Sequence, residues 1–354
     1  MKSIKNNKDI FSQEESGYIK MQDEKSRISK SVSVVLATYN GERFIIEQLD
    51  SLRKQTLQVD EVLIADDAST DNTVSIIQSY IEKYSLQKTW LLLENKINKG
   101  YSQNFIDTIK KATGKYIFLC DQDDIWVNTK IEIMTEAMED NANINVLLAE
   151  CANFSGNYYS NQAVFYQSNN PKDYDMSINY ISYSKTNHIL TGLGCCMCIK
   201  NKFFQEIMKY DISGIGIGHD TFLWGFANFL DSSYKINFCS IYRRCHSANT
   251  SWHGVKTLKN RIFTCMERKL YYQSLLRVIN SKDFKNNYSN TKDIFLNKSI
   301  QCANLRCKFL TDKNIFVWIY YVIFYQKYIS NFKSSFKASF LDLYLVIKKE
   351  WGNP

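Results

Sequence analysis

The sequence predicts an α/β fold built on a mostly parallel sheet that helices cover on both faces. Short apolar runs alternate with segments of helical apolar spacing from residue 31 onward, and this alternation is typical of consecutive βαβ units. Polar residues follow each apolar run of the first half directly. Parallel strands end at one edge of a sheet, where open α/β folds bind their ligands. We therefore expect these polar residues to meet in one site.

The first half of the chain is regular enough to place each element. Its apolar runs predict strands, and its apolar residues at helical spacing predict the connecting helices. The elements in order are a strand at 32–37, a helix at 43–54, a strand at 62–65, a helix at 71–84, a strand at 90–93, a helix ending at 111 and a strand at 116–120.

The second half is less regular, and it yields fewer elements. A variable loop is predicted at 155–187, which is rich in Asn, Tyr and Ser. Helices are predicted at 203–210 and 221–230, and a strand at 236–241. From about residue 255 the chain becomes helical and basic.

Charge divides the chain into three parts. The net charge is +8, but residues 255–354 carry about 18 Lys and Arg against about 6 Asp and Glu. We predict a main domain at 31–254 and a helical, basic region at 255–354, whose charge favours an anionic partner such as a membrane surface or nucleic acid. No nucleic-acid-binding motif accompanies that charge. Residues 1–30 are polar and predict a disordered lead-in without signal peptide or anchor.

The ten cysteines show no disulfide-framework spacing. Three of them lie in the apolar run Cys195-Cys196-Met197-Cys198-Ile199. We interpret them as reduced core residues of a protein in a reducing compartment.

The strongest functional signal is Asp121-Gln122-Asp123-Asp124, directly behind the apolar run 116–120. Three carboxylates in four residues repel one another unless a cation lies among their oxygens. One Asp would be enough to cap a helix, and the glutamate of an EF-hand loop is missing. Oxygen ligands suit Mg²⁺ or Mn²⁺. The motif therefore predicts a metal–diphosphate site, with Gln122 reaching a sugar or ribose and Trp126 either lining the pocket or packing in the core.

Other polar groups have both a functional and an ordinary interpretation. Asp66 and Asp67 either bind a nucleoside or form a turn, and Asp220 is either a general base or a helix cap. Lys99, Gly100 and Asn104 either contact phosphate and ribose or form a loop and a capped helix. His246 is either a metal or diphosphate ligand or a surface histidine. No Walker A motif, no G-x-G-x-x-G and no defensible Ser-His-Asp set is present.

Residues 315–325 form a strongly apolar, aromatic stretch with lysines on both sides. The stretch is too short to span a bilayer, which takes ~20 apolar residues. It predicts either a helix lying in a membrane interface or a core helix packed on the main domain.

The order and spacing of these motifs resemble family 2 glycosyltransferases of the GT-A fold, whose sheet is Rossmann-like. The motif of residues 121–126 with the later His219-Asp220 is most similar to bacterial rhamnosyltransferases of cell-wall and capsular polysaccharide synthesis. Arg243 to Cys245 and Gly192 to Gly194 depart from the usual family pattern. The segments that carry the resemblance are 33–41, 55–56, 66–71, 98–100 with Asn104, 121–126, 191–192, 219–220 and 242–243 with His246 and Asn249.

The resemblance implies roles for individual residues. Asp220 would be the catalytic base, while Asp123 and His246 would hold Mg²⁺ or Mn²⁺. A nucleotide-diphospho-sugar would be bound by Thr38, Tyr39, Asn40, Asp66, Asp67, Lys99, Gly100, Asn104, Asp121, Gln122 and Trp126.

The implied activity is an inverting, metal-dependent transfer of a sugar to a polyprenyl-diphosphate-linked oligosaccharide. The expected donor is dTDP-L-rhamnose, with UDP-glucose or UDP-galactose as the alternative. The enzyme would be cytoplasmic and peripheral on the inner face of the cell membrane. A nucleotidyltransferase and an inactive nucleotide-sugar-binding module are the alternatives from other classes, but residues 38–41 lack the basic glycine-rich loop of the former.

Overall fold

The computed structural model confirms the predicted α/β class. Its strands are β1 (Val32–Thr38), β2 (Glu61–Asp66), β3 (Trp90–Glu94), β4 (Tyr116–Asp121), β5 (Ile125–Trp126), β6 (Val146–Ser155), β7 (Val164–Tyr166), β8 (Ile178–Tyr180), β9 (Met197–Lys200) and β10 (Ser233–Arg244). Its helices are α1 (Ile45–Arg53), α2 (Thr73–Lys83), α3 (Tyr101–Ile109), α4 (Lys130–Asp140), α5 (Asn201–Ile207), α6 (His219–Phe229), α7 (Leu258–Ile279), α8 (Asn290–Asp312), α9 (Ile315–Phe324) and α10 (Phe332–Trp351).

The structure describes residues 31–156, 158, 164–166, 174–184, 187–188, 190, 193–210, 217–246, 257–281, 290–324 and 332–351. The predicted lead-in at 1–30 lies outside this range, and so do Thr191, Gly192 and Asn249 of the motif pattern.

One sheet runs through the main domain in the order β3-β2-β1-β4-β9-β6-β10-β5. The first four of these strands are parallel neighbours, whereas β9 pairs antiparallel with both β4 and β6. Val34, Val35 and Leu36 of β1 are completely buried in succession. Such a run of buried residues is expected where helices cover both faces of a parallel sheet.

The parallel strands extend slightly beyond their predicted ends, and the added residues are the polar ones. Thr38 is paired in register with Asp66, and Asp66 with Glu94. Asp121 is paired in register with Ala37. The sheet itself therefore holds three of the predicted site residues side by side.

The second half departs further from the prediction. The predicted loop at 155–187 contains the short strands β7 and β8, which pair with β6 and β10. The elements α4, β5 and most of β6 were not predicted. β8 is exposed at all three positions, so its sequence carries no apolar pattern. Its strand conformation depends on a partner more than 50 residues away along the chain.

The C-terminal helices pack on the main domain. Tyr271, Leu275 and Val278 of α7 belong to the same buried core as the sheet. At Gly225 of α6 a side-chain Cβ would lie only 1.6 Å from the hydroxyl oxygen of Tyr271. The absence of a side chain at Gly225 is thus what lets α7 approach α6 so closely.

Helix α9 is half packed and half exposed. Tyr321 is 2% exposed and lies in a small core cluster, whereas Phe316 is 77% and Ile323 65% exposed on the opposite side. Among the described residues, no helix is both long and apolar enough to cross a membrane.

Candidate active site

Two loops at the strand ends are joined through Asp66. Its carboxylate accepts hydrogen bonds from the Thr38 hydroxyl at 2.8 Å and from the backbone amide of Ser69 at 2.8 Å. The Ser69 hydroxyl adds a third bond at 2.6 Å. Because Asp66 is only 1% exposed, its oxygens are used to shape the loops.

Asn40 extends this junction. Its backbone φ is 48°, in the left-handed region that Asn tolerates better than most residues. Its backbone amide donates to the Ser69 hydroxyl, and its side-chain oxygen accepts from the amide of Thr70, both at 2.8 Å. The loop after β1 is therefore tied to the loop after β2.

Gln122 ties the acidic loop, residues 121–124, to the loop after β1. Its side-chain oxygen accepts from the Tyr39 amide at 2.8 Å, and its side-chain nitrogen donates to the Tyr39 carbonyl at 3.0 Å. The sequence suggested a sugar or ribose partner for this amide, but in the structure both of its polar atoms are engaged by the backbone. The Tyr39 ring is 46% exposed beside it.

Asp67 gathers the loop after β3. Its carboxylate accepts from the backbone amides of Lys99 at 2.9 Å and Gly100 at 2.8 Å, and from Asn95 at 3.0 Å. Asn95 also donates to Asn104 at 2.8 Å. Asp67 thus fixes the path of this loop, and the part played by Asn95 was not apparent from the sequence.

The side chains of Lys99 and Asn104 face α3 and β2. The Lys99 ammonium forms a salt bridge of 3.0 Å with Asp107, and Asn104 donates to the Ala65 carbonyl at 2.8 Å. Gly100 has a φ of 83°, and nothing lies within 4 Å of the place where its Cβ would be. Space beside the backbone remains there for a ligand.

The acidic loop brings Asp123 and His246 together. Their Oδ2 and Nε2 atoms lie 2.7 Å apart, and both side chains are partly exposed. The predicted pair of metal ligands is therefore adjacent, although 123 residues separate the two along the chain.

A second group lies next to this pair. The ligand atoms of Asp121, Asp124 and Cys195 all lie within 4.8 Å of one another. Burial, followed by the charges of Asp123 and Asp220, raises the pKa of Asp121 to about 7. Burial and the charges of Asp123 and Asp121 raise the pKa of Asp124 well above its usual value. This crowding of carboxyl groups creates a negative potential that a cation would relieve.

Arg244 supports the acidic loop from below. Its backbone amide donates to Asp124 at 3.0 Å, and its guanidinium donates to the Asp123 carbonyl at 2.9 Å and to Glu47 at 2.8 Å. Its side chain is 2% exposed and lies 4.6 Å from the ring centres of both Phe44 and Phe154. Arg244 therefore fixes the loop without facing the ligand space.

The interpretation of Trp126 as a pocket wall is wrong. Trp126 is 1% exposed and belongs to the core, where the Lys130 ammonium lies 3.6 Å from its ring centre. Lys130 is itself completely buried and donates to the Cys195 carbonyl. Burial lowers the pKa of Lys130. A cation beneath the acidic loop was not apparent from the sequence.

Asp220 lies in the first turn of α6, which begins two residues earlier than predicted. A carboxylate in that position is favoured by the helix dipole, and Asp220 accepts a bond of 2.6 Å from the Thr221 amide. Its charge also contributes to the raised pKa of Asp121. The predicted base therefore faces the acidic loop across the site.

Comparisons with known proteins show which family the chain belongs to. The profile of glycosyl transferase family 2 matches residues 33–208. The dTDP-rhamnosyl transferase RfbG of Shigella flexneri is 32% identical over 210 residues, which cover 57% of this chain and 68% of that protein. The chain belongs to glycosyl transferase family 2. A second relative is UDP-Glc:alpha-D-GlcNAc-diphosphoundecaprenol beta-1,3-glucosyltransferase WfaP of Escherichia coli, which is 30% identical over 64% of this chain and 82% of its own length.

Solved structures support the fold. TarS 1-349 of S. aureus superposes with a TM-score of 0.57 over 91% of this chain and 92% of that chain, at 14% identity. The same protein in complex with UDP-GlcNAc gives a TM-score of 0.53 at 16% identity. The predicted GT-A fold is thereby confirmed, and the chain is a glycosyltransferase.

Proposed function

We propose that this glycosyltransferase moves L-rhamnose from dTDP-L-rhamnose to a polyprenyl-diphosphate-linked oligosaccharide, with inversion at the anomeric carbon. The ligand atom of Cys195 lies within 4.8 Å of those of Asp121 and Asp124. The observation that carries the proposal is that Asp220 lies against Gly194, the residue before Cys195, with its Cβ 2.9 Å from the point where a Cβ of Gly194 would be. The electrostatic effect of Asp220 reaches Asp121. A general base and a diphosphate site need this proximity, because the attacking hydroxyl and the leaving group bind to the same carbon atom.

The donor set fits Mg²⁺ or Mn²⁺. Asp123 and His246 offer an oxygen and a nitrogen 2.7 Å apart, close enough for one ion to bind both, and Asp121 and Asp124 offer further oxygens nearby. A bound divalent cation would neutralise negative charge on the diphosphate and so improve the leaving group. Cys195 is a weaker candidate ligand, because burial raises the pKa of its thiol.

The chain's own residues account for the transfer. Asp220 accepts the proton of an acceptor hydroxyl while that oxygen attacks the anomeric carbon. The bond from this carbon to the diphosphate breaks on the opposite face, and the nucleoside diphosphate leaves. The loops held by Asp66, Asp67 and Gln122 form the rim on which the nucleotide binds.

The choice of sugar rests on the relatives. The Shigella relative is named a dTDP-rhamnosyl transferase, and the sequence pattern of residues 121–126 and 219–220 favours the same donor. UDP-glucose is the second candidate because the E. coli relative is named for it. The lipid-linked acceptor is likewise taken from the name of the E. coli relative.

Thermal stabilisation by sugar nucleotides tests the donor. With 1 mM Mn²⁺ present, dTDP-L-rhamnose should raise the melting temperature more than UDP-glucose or UDP-galactose, and EDTA should abolish the difference. Stabilisation by UDP-glucose alone would transfer the proposal to that donor. Binding without either transfer or hydrolysis of the sugar nucleotide would identify an inactive binding module.

The exposed face of α9 is where we place the membrane surface. Phe316, Tyr320, Ile323 and Phe324 are between 47% and 77% exposed on a helix without a charged residue. The surrounding region 255–354 is strongly basic. An apolar face in a basic region fits an anionic bilayer, which is where a polyprenyl-linked acceptor is found. The enzyme would then be peripheral on the inner face of the cell membrane.

A further inference from the structure

Tyr101 lies beside the proposed base, and Glu267 lies near Tyr101. Neither residue was singled out in the sequence. Tyr101 is the first residue of α3, and its ring is 55% exposed. Its phenol oxygen lies 3.6 Å from the point where a Cβ of Gly218 would be, and Oδ1 of Asp220 lies 2.7 Å from the same point. The phenol and the base are therefore close neighbours.

Glu267 reaches this place from the C-terminal region. The pKa of the Tyr101 phenol is raised by burial and then by the charges of Asp220, Glu267 and Asp121. The Glu267 carboxylate consequently acts on the same phenol as the base does. Burial alone raises the pKa of Glu267 to about 7.

The docking of α7 on α6 fixes the position of Glu267. Tyr271 follows Glu267 by one helical turn, so both project from the same face of α7. Tyr271 contacts α6 at Gly225 and donates a hydrogen bond of 3.3 Å to the His188 carbonyl. Glu267 is one turn from this contact, so the packing of Tyr271 on Gly225 holds its turn of α7 close to the helix that carries the base.

The polar groups on this side of the site are left without partners. Within the described part of the chain, neither the Tyr101 phenol nor the Glu267 carboxylate forms a hydrogen bond or an ion pair. His219, which is 5% exposed, has no partner there for either ring nitrogen. Its Nε2 and Oδ2 of Asp220 both lie 3.3 Å from the point where a Cβ of Gly194 would be. Unused hydrogen-bonding capacity of this kind is typical of a ligand site.

We propose that Tyr101 and Glu267 bind the acceptor sugar and select it, an inference that rests on the proposed glycosyl transfer. Glu267 accepts hydrogen bonds from hydroxyl groups of the terminal acceptor residue, and the exposed ring of Tyr101 packs against the apolar face of that residue. Above about pH 7 the carboxylates of Asp121 and Glu267 join that of Asp220 in making this side negative. It therefore suits an uncharged saccharide and disfavours an anionic group at the attacking end.

Steady-state kinetics with the full-length chain test this inference. Glu267→Gln and Tyr101→Ala, which removes the exposed ring, are assayed with dTDP-L-rhamnose or UDP-glucose as donor and a panel of octyl glycosides as acceptors. We expect the KM for the accepted glycoside to rise at least tenfold in both variants, while the KM for the donor stays within twofold. Glu82→Gln, which changes an exposed carboxylate on α2, is the matched control and should leave both constants unchanged.

The outcomes separate this inference from the proposed function. An unchanged acceptor KM in Glu267→Gln would overturn the inference and leave glycosyl transfer intact, and so would equal rises in both KM values. If the enzyme hydrolysed the donor but transferred sugar to no glycoside of the panel, the claim that the acceptor is a saccharide would be wrong. If the wild type neither transfers nor hydrolyses any donor, the proposed function itself fails. Melting temperatures of both variants within 2 °C of the wild type would exclude misfolding as the cause.

Discussion

At the scale of single residues, Asp220 carries the chemistry of the proposal. Asp220→Asn keeps the shape and the Thr221 contact of the side chain but removes its ability to accept a proton. We expect the donor affinity measured by calorimetry to stay within a few-fold, while the rate of sugar transfer falls by a factor of ~10² or more. Thr221→Ser, which leaves the backbone amide of residue 221 in place, is the control. Wild-type turnover in Asp220→Asn would contradict the assignment of the base.

The raised pKa of Asp121 gives metal binding a pH dependence. In the metal-free chain the group keeps its proton up to about pH 7, and a cation must displace that proton. We expect the affinity for Mn²⁺ to fall as pH drops from 8 to 6, with more protons released on metal binding at pH 6 than at pH 8. Calorimetry in two buffers of different ionisation enthalpy measures this release.

The sign for folding is the opposite of the sign for metal binding. The folded, metal-free chain holds a proton on Asp121 between about pH 4 and 7 that the unfolded chain releases. The stabilisation from this group is present below pH 4 and lost as pH rises through about 7.

Asp220→Asn removes one of the charges that raise the pKa of Asp121, so it should shift the proton release on Mn²⁺ binding to lower pH. An affinity that is equal at pH 6 and pH 8 would count against the buried state of Asp121.

The sequence predicted the strand-end residues of the site but not their supports. Thr38, Asp66 and Asp121 were found because parallel strands end at one edge, a rule that needs no knowledge of contacts. Arg244 and Lys130 were missed as supports, because each acts on groups more than 60 residues away along the chain. For Trp126 the sequence left two interpretations open, a pocket wall and a core residue. Only the packing of the surrounding side chains distinguishes them.

At the scale of elements, α7, α8 and α10 are joined by a buried ion network. Asp342 of α10 is completely buried and pairs with Arg261 of α7 and Arg306 of α8, the latter at 2.6 Å. Its charge and hydrogen bonds raise the pKa of Arg306, against the effect of burial. The network compensates two buried guanidinium groups with one carboxylate and therefore fixes how the three helices meet.

Removal of this carboxylate should cost much stability. Asp342→Asn leaves two buried cations without a counter-charge, and breaking such a pair costs about 3–5 kcal/mol. We expect a matching fall in the free energy of unfolding, measured by urea denaturation with circular dichroism. Asp312→Asn at the exposed end of α8 should change it by less than ~0.5 kcal/mol. Equal stabilities of the two variants would show that the network contributes nothing.

The elements themselves were predictable where the local pattern was complete. β1 to β4 and their helices combine apolar periodicity with turn residues, so their ends were placed to within a few residues. β6 and β10 form one parallel pair whose register shifts between Lys235 and Cys239 and again before Ile241. Irregular pairing of this kind depends on the partner strand and leaves no mark in the local sequence.

At the scale of the whole molecule, the prediction concerns the exposed apolar face of α9, which we propose as the membrane contact. The double variant Phe316→Ser/Ile323→Ser shortens two strongly exposed side chains and leaves the core unchanged. Each loses roughly 1.5–3 kcal/mol of possible apolar burial, so binding to phosphatidylglycerol vesicles in a sedimentation assay should fall at least tenfold. Ile97→Ser, at a residue that is 70% exposed on another surface, is the control.

The salt dependence of vesicle binding is a second test of the same surface. Attraction between the basic region and anionic lipid is screened within about 10 Å at 0.1 M salt. Wild-type binding should weaken as NaCl rises from 0.1 to 0.5 M and should be much lower on neutral phosphatidylcholine vesicles. Binding that is indifferent to lipid charge and to both substitutions would rule out this face as the membrane contact. Self-association of the wild type through the same face would instead identify a second copy as its partner.

The contact of Tyr271 with Gly225 has a practical consequence for anyone who wishes to shorten or recombine this enzyme. A version that stops at residue 254 would expose the apolar surface that α7 buries and would lack the core residues of α7. We therefore expect it to aggregate when expressed. If the C-terminal helices were exchanged with those of another family member, the residues at positions 225 and 271 would have to be exchanged as a pair. Such an exchange would place a different residue at position 267, while the donor pocket would stay unchanged.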